Sequence, residues 1–142
     1  MKKRRIKVSV GDVVQIELPT GRFAYGRVFR DASIGIYKQQ SEHPRQPPYE
    51  ETYAFIVGVY KDALESGIWP IIEQRPFANE EAAWPPPYYV RDRINGQLSI
   101  YHKGTMRPST ETECRGLEKA AVWEANHIVD RIMGSTKWHK ER

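Results

Sequence analysis

The stretch DVVQIELPTGRFAYGRVF, residues 12–29, decides the fold class. Val14, Ile16 and Leu18 alternate with Gln15 and Glu17, the period-two pattern of a half-buried strand. Pro19-Thr20-Gly21-Arg22 then supplies turn formers, so the next run returns as the second arm of a hairpin. In that arm Phe23, Tyr25, Arg27 and Phe29 share one face, and the small Ala24 and Gly26 share the other with Val28. Small residues on one face admit a close neighbour or a coiling bend. Working outward, Asp31-Ala32-Ser33 makes a reversal and Ile34–Tyr37 a short third strand. Residues 52–60 (TYAFIVGVY) are apolar on both faces, which predicts a central strand. Lys61–Gly67 suits one helical turn, and Trp69–Glu73, with Pro70, suits a short edge strand. Tyr88–Ile94 and Leu98–Tyr101 flank Asn95-Gly96, a strong signal for a two-residue type I′ hairpin. Residues 39–50, with three prolines and almost nothing apolar, and residues 75–87, ending in three consecutive prolines, are long connections.

After Pro108 the pattern changes to a helical period. Thr110 suits an N-cap and Glu113 the third position of a capping box. Leu117, Ala121, Ala125, Ile128 and Ile132 recur at helical spacing, widened by Val122 and Val129, and Gly134 suits a left-handed C-cap. The spacing predicts one amphipathic helix of about 24 residues. The expected fold is therefore α+β: a strongly bent antiparallel sheet or small, partly open barrel of about six strands, packed against one long C-terminal helix. The expected organisation is a single domain over 8–136, between a basic tail at 1–7 and a charged tail at 137–142.

Charge narrows the classes of partner. The chain of 142 residues has a formal net charge of +4, but residues 8–136 hold 14 basic and 17 acidic side chains, a body charge of −3. The excess basicity sits at the ends. Nucleic-acid binding draws on basic side chains clustered over a folded surface, so this body fits a basic protein partner better. No apolar run approaches the length of a membrane span, and polar residues interrupt the region after Lys7 where a signal peptide would need its apolar stretch. One cysteine forms no internal bridge, which suits a reducing, cytoplasmic location. Nothing in the pattern sets an oligomeric state.

Catalytic signals are sparse. His43, His102, His127 and His139 show no metal-ligand spacing, and no phosphate-cradling glycine loop or nucleophile elbow occurs, so neither metal nor cofactor is expected. Cys114 falls beside Arg115 in the first turn of the predicted helix, where thiolate is favoured, but His127 lies too far along that helix to serve it. Only His102 could, and a small buried hydrophobe is the simpler reading. A non-enzyme is expected. Glu118, Trp123, Glu124, His127 and Asp130 gather with Arg131 on one helix face as ordinary surface pairs or a partner-binding surface. Pro85-Pro86-Pro87-Tyr88 matches a WW-domain ligand but reads more simply as a stiff lead into a strand. Sixteen aromatic residues, Trp84, Tyr88 and Trp123 among them, suit a protein interface.

Gly11-Asp12-Val13-Val14 and Leu18-Pro19-x-Gly21-Arg22-Phe23-Ala24-Tyr25-Gly26-Arg27-Val28 open a series of short motifs. Tyr60–Leu64 with Ser66-Gly67-x-Trp69, Pro87–Val90, Ile100-Tyr101, Thr110 to Glu118, Ala121-Val122-Trp123 and Arg131 follow in order. This ordered set resembles the bacterial immunity protein 26 family, and the first two motifs look like its opening signature. The resemblance implies an α+β immunity protein of a polymorphic toxin system, made in the cytoplasm, that neutralises a cognate toxin by binding it. With an acidic, aromatic-rich body, the expected toxin is basic, such as a nuclease, and the expected contacts are Trp123, Glu124, Asp130, Glu118, His127, Tyr88 and Trp84. The competing reading is a small β-barrel-like nucleic-acid-binding module.

Overall fold

A computed structural model describes residues 5–140. The opening hairpin forms as the alternation predicts: β1 (Asp12–Glu17) pairs antiparallel with β2 (Phe23–Phe29), Val14 opposite Gly26 and Ile16 opposite Ala24. β3 (Ser33–Tyr37) and β4 (Tyr53–Val59) continue the meander. The helical turn α1 (Lys61–Glu65) follows, and β5 (Ile71–Gln74) returns as an edge strand against β1. A 3₁₀ turn at Glu81–Ala83 precedes β6 (Tyr88–Arg91), β7 (Leu98–His102) and β8 (Thr105–Pro108). The chain closes with α2 (Glu111–Cys114), β9 (Glu118–Lys119), β10 (Val122–Trp123), α3 (Ala125–Ile132) and α4 (Lys137–Lys140).

Two sheets result, in orders β10-β4-β3-β2-β1-β5 and β8-β7-β6-β9, and neither closes into a barrel. The extended segment 118–123 joins them. Its first residues pair in parallel with β6, Glu118 opposite Tyr88, and its last with β4, Trp123 opposite Val59. Gly58 makes the second pairing possible, because a Cβ there would stand 2.7 Å from the Ala121 carbonyl oxygen. One face of the larger sheet carries Val14, Ile16, Val28, Ile34, Ile36, Val57 and Val59. Leu64 of α1, Trp69, Trp123 and Ile128 of α3 cover it. Trp123 is 1% exposed, and truncating a ring buried so fully costs ~3–5 kcal/mol.

The long C-terminal helix does not form. Four residues after its start the chain turns out of the helix: Thr110 caps it, its Oγ1 accepting from Glu113 N at 3.2 Å, and Gly116 sits at φ +84°. A non-glycine residue pays for a left-handed backbone, so Gly116 marks an exit. The apolar spacing of 117–132 is real, but it serves two structures. Leu117 packs on Cys114 and the second sheet, whereas Ala121, Ala125, Val129 and Ile132 pack on the main core. The edges of β4 and β6 satisfy the backbone of 118–123 with ladder bonds instead of helical ones. The fold is thus mostly β, ten strands in two sheets among the described residues, and its longest helix has eight residues. Gly134 ends α3 in the left-handed region, as the spacing predicts.

The type I′ turn lies elsewhere than expected. Asp92 to Gln97 form a wider loop closed by Asp92 N–H to the Gln97 carbonyl at 2.9 Å, with only Gly96 at positive φ. Asp92 Oδ1 accepts from Ile94 N and Asn95 N, which caps the loop and holds the Asp92 carboxyl below its usual range. The true two-residue turn is Lys103-Gly104, at φ +53° and +78°, between paired His102 and Thr105.

Candidate functional site

Glu124 occupies the N-cap position of α3, its carbonyl accepting from Ile128 N at 3.0 Å, while its side chain makes no capping bond and its carboxylate stands exposed 3.7 Å from His127 Nε2. One turn on, His127 stacks flat on Trp138 of α4, ring centroids 3.5 Å apart at 14°. Trp138 Nε1 donates to Asp130 Oδ2 at 2.7 Å, so an acid and an indole fasten α4 to α3. Arg131 donates through both terminal nitrogens to Glu118, at 2.9 and 2.8 Å. Its guanidinium lies 4.0 Å over the Phe55 ring and 5.1 Å from that of Trp123. This bidentate pair ties α3 to β9 and so braces the joint between the sheets. Five predicted site residues, Glu118, Trp123, Glu124, His127 and Asp130, therefore do assemble. They come from β9, β10 and α3 rather than from one helix.

Tyr88 and Trp84 stand apart from that group. Tyr88 is 5% exposed, its hydroxyl 3.0 Å from Ser33 Oγ at the seam between the sheets, and burial pushes the pKa of that hydroxyl up to about 12. The Pro85–Tyr88 motif is thereby a lead into β6, with Pro85 buried beside the buried tyrosine. Trp84 is half-buried under the Arg30 guanidinium, 4.8 Å from its ring centre. Cys114 closes a small core with Leu98 and Ile100.

The face of the larger sheet turned away from α3 holds a polar network that the sequence did not single out. Glu51 accepts from the Tyr37 hydroxyl at 2.6 Å, the Tyr53 hydroxyl at 3.0 Å, Arg75 at 2.9 Å and Arg27 at 3.3 Å. Burial opposes the Glu51 charge, but the two phenols and two guanidiniums outweigh it and hold its carboxyl below the usual range. Burial and the bond to Glu51 push the Tyr37 hydroxyl well up. Arg27 also donates to the Arg75 and Pro76 carbonyls, and Arg75 to the Pro48 carbonyl at 2.6 Å. Both proline-rich connections are thus pinned to one carboxylate and two arginines. Phe77 lies over Arg27 at 3.6 Å, and an open cleft of about 470 Å³ lies beside it, with Tyr53 and Trp84 in its wall. The available signal was Arg27 itself, a charged residue on the aromatic face of a strand flanked by hydrophobic residues.

A second surface lies where α1 approaches the start of α3. Tyr60, 52% exposed, and Ile68, 65% exposed, stand with Ala63 and Ala125 around an open groove of about 420 Å³, with Asp62 and Glu124 at its rim. The Tyr60 amide donates to the Trp123 carbonyl at 3.1 Å, which fixes this tyrosine next to β10 and Glu124. Close by, Arg5 reaches Asp62 and Glu65 at 2.9 and 3.0 Å. Residues 5–7 and 137–140 are the described parts of the two charged ends; residues 1–4 and 141–142 of the expected tails lie outside the described residues.

The two joined sheets form an open meander with aromatic and carboxylate side chains around α3 and α1. The immunity protein 26 family model matches residues 9–99, most of the chain, and the chain belongs to that family. The match covers β1 through the start of β7 and so includes the opening signature, Tyr60–Trp69 and the Arg27–Glu51–Arg75 network. No curated protein and no solved structure gives a significant match. No helix among the described residues is long and apolar enough to cross a membrane.

Proposed function

We propose that this chain is a stoichiometric, non-catalytic inhibitor that protects the cell making it by binding a cognate toxin in the cytoplasm. The observation that carries this reading is membership of the immunity protein 26 family over residues 9–99. Charge supplies the sign of the partner: the body of −3 favours a basic toxin domain, for which a nuclease is the leading chemical class. The toxin-facing side is the one bearing α3, where Glu124 is exposed and His127 and Asp130 are partly so, with Glu118 and Trp123 beneath them as support. Tyr88 and Trp84 act from further off, Tyr88 by fixing the seam and Trp84 by shaping the 75–87 connection.

The test is a titration of purified chain into the toxin domain encoded immediately upstream of its gene, with toxin activity on plasmid DNA or total RNA as readout. Activity should fall linearly to zero at one equivalent. Undiminished activity at a tenfold excess contradicts the proposal.

A further inference from the structure

Most exposed apolar side chains on a soluble domain are scattered and need no explanation, but apolar groups gathered in a concave site with a charged rim mark contact surfaces. Tyr60 and Ile68 are two of the most exposed large apolar side chains on the described surface, and they share one groove with Ala63 and Ala125. Both rim carboxylates are exposed, Asp62 with 82% and Glu124 with 59% of its side chain accessible. The groove therefore offers aliphatic walls, one aromatic ring and negative charge at its mouth.

We propose that the groove between α1 and the start of α3 seats an arginine or lysine side chain presented by the toxin. This rests on the reading of the chain as a toxin inhibitor and names the contact through which it acts. A long basic side chain is the occupant whose parts match the walls. Its methylene stem lies against Ile68, Ala63 and Ala125, its cationic head meets the Tyr60 ring, and the carboxylates of Asp62 and Glu124 complete its charge. The N-terminal segment already illustrates this pairing on the adjoining surface. Arg5 places its guanidinium on Asp62 and Glu65, while the Ile6 amide bonds the Glu65 carbonyl at 2.9 Å and its side chain lies over Gly67. Those ion pairs are solvent-exposed, and such pairs exchange readily with a competing cation. His127, its Nε2 3.7 Å from Glu124 and its ring stacked on Trp138, is the neighbouring group on α3.

The experiment measures affinity and dissociation rate of the full chain for the catalytically inactivated upstream toxin domain, for wild type, Tyr60→Ala, Tyr60→Phe, Glu124→Lys and Glu124→Gln. Ile94→Ala, at a side chain 97% exposed on the β6–β7 loop, is the control. Tyr60→Ala should weaken binding about 30-fold, chiefly through faster dissociation, and Glu124→Lys at least as much. Tyr60→Phe, which keeps the ring, and Ile94→Ala should stay within about twofold of wild type, and Glu124→Gln should fall between. Urea midpoints of all variants should remain close to wild type, since both positions are exposed. If wild type binds tightly while Tyr60→Ala and Glu124→Lys bind equally well, the groove is not the contact and the inhibitor reading stands. If wild type neither binds nor inhibits, both fall together.

Discussion

Gly116→Ala separates the observed fold from a continuous C-terminal helix by the sign of its effect. At φ +84° an alanine pays the left-handed penalty, ~1–2 kcal/mol. No atom stands within 4 Å of the added Cβ, so the backbone term is the whole of the native-state effect. Reduced freedom of the unfolded chain offsets ~0.4–1 kcal/mol of it, which leaves a net loss of about 1 kcal/mol. Were residues 110–133 one helix, the same change would replace a mid-helix glycine by the best helix former and gain ~1 kcal/mol. For a chain of 142 residues a loss of that size lowers the melting temperature by about 3 °C. Paired urea and thermal melts followed by tryptophan fluorescence read both quantities. A Gly116→Ala protein as stable as wild type, or more stable, would refute the placement of this turn and the strands that follow it.

The Glu51 hub makes two further expectations. Glu51→Gln should lower stability by about 2 kcal/mol, less than the 3–5 kcal/mol of a fully buried broken pair because Glu51 is partly exposed and Arg27 keeps its carbonyl partners. Because the folded state holds the Glu51 carboxyl below its usual range, its stabilisation is complete above the unfolded value near pH 4.3. It is lost as pH falls through the folded value, so the gap in urea midpoint between wild type and Glu51→Gln should close on acidification. A gap that persists unchanged at pH 3 would mean that the carboxylate is not the source. Arg131→Lys, which keeps the charge but loses the fork onto Glu118, should cost about 1–2 kcal/mol and speed amide exchange in β9 and β10 ahead of the rest of the sheet; uniform exchange would count against a bracing role.

Local alternation carried the first half of the fold. Val14 and Ile16 face the core as their spacing predicts, Ile34 and Ile36 fill the space over Gly26, and Pro70 precedes an edge strand. What failed was the inference from periodicity to a single element. Leu117, Ala121, Ala125 and Ile128 satisfy a helical period, yet the neighbours that decide their structure are β6 and β4, distant in sequence and invisible to a local window. Gly116, at positive φ just after the short α2, is the local feature that the apolar period of 117–132 overlooks. Asn95-Gly96 has the composition of a two-residue turn, yet Asp92 offers a carboxylate cap that stabilises the wider loop, and the two-residue turn falls at Lys103-Gly104. Among candidate contacts, Glu124, His127 and Asp130 were legible as a charged helix face. Tyr60 and Ile68 were not, because exposure depends on which side of α1 the packing leaves open. The Glu51 network was hidden for the same reason, its members lying on four separate segments of the chain.

Neutralisation of a toxin is tested most directly by growth of host cells expressing the upstream toxin domain with and without this chain. Wild type should restore growth, and the two proteins should co-purify one to one; catalytically silent loss of the toxin is checked by recovering active toxin from the complex after denaturation. Toxicity that persists at high expression of a folded chain, with no complex recovered, would contradict the assignment of this protein as the inhibitor of that toxin.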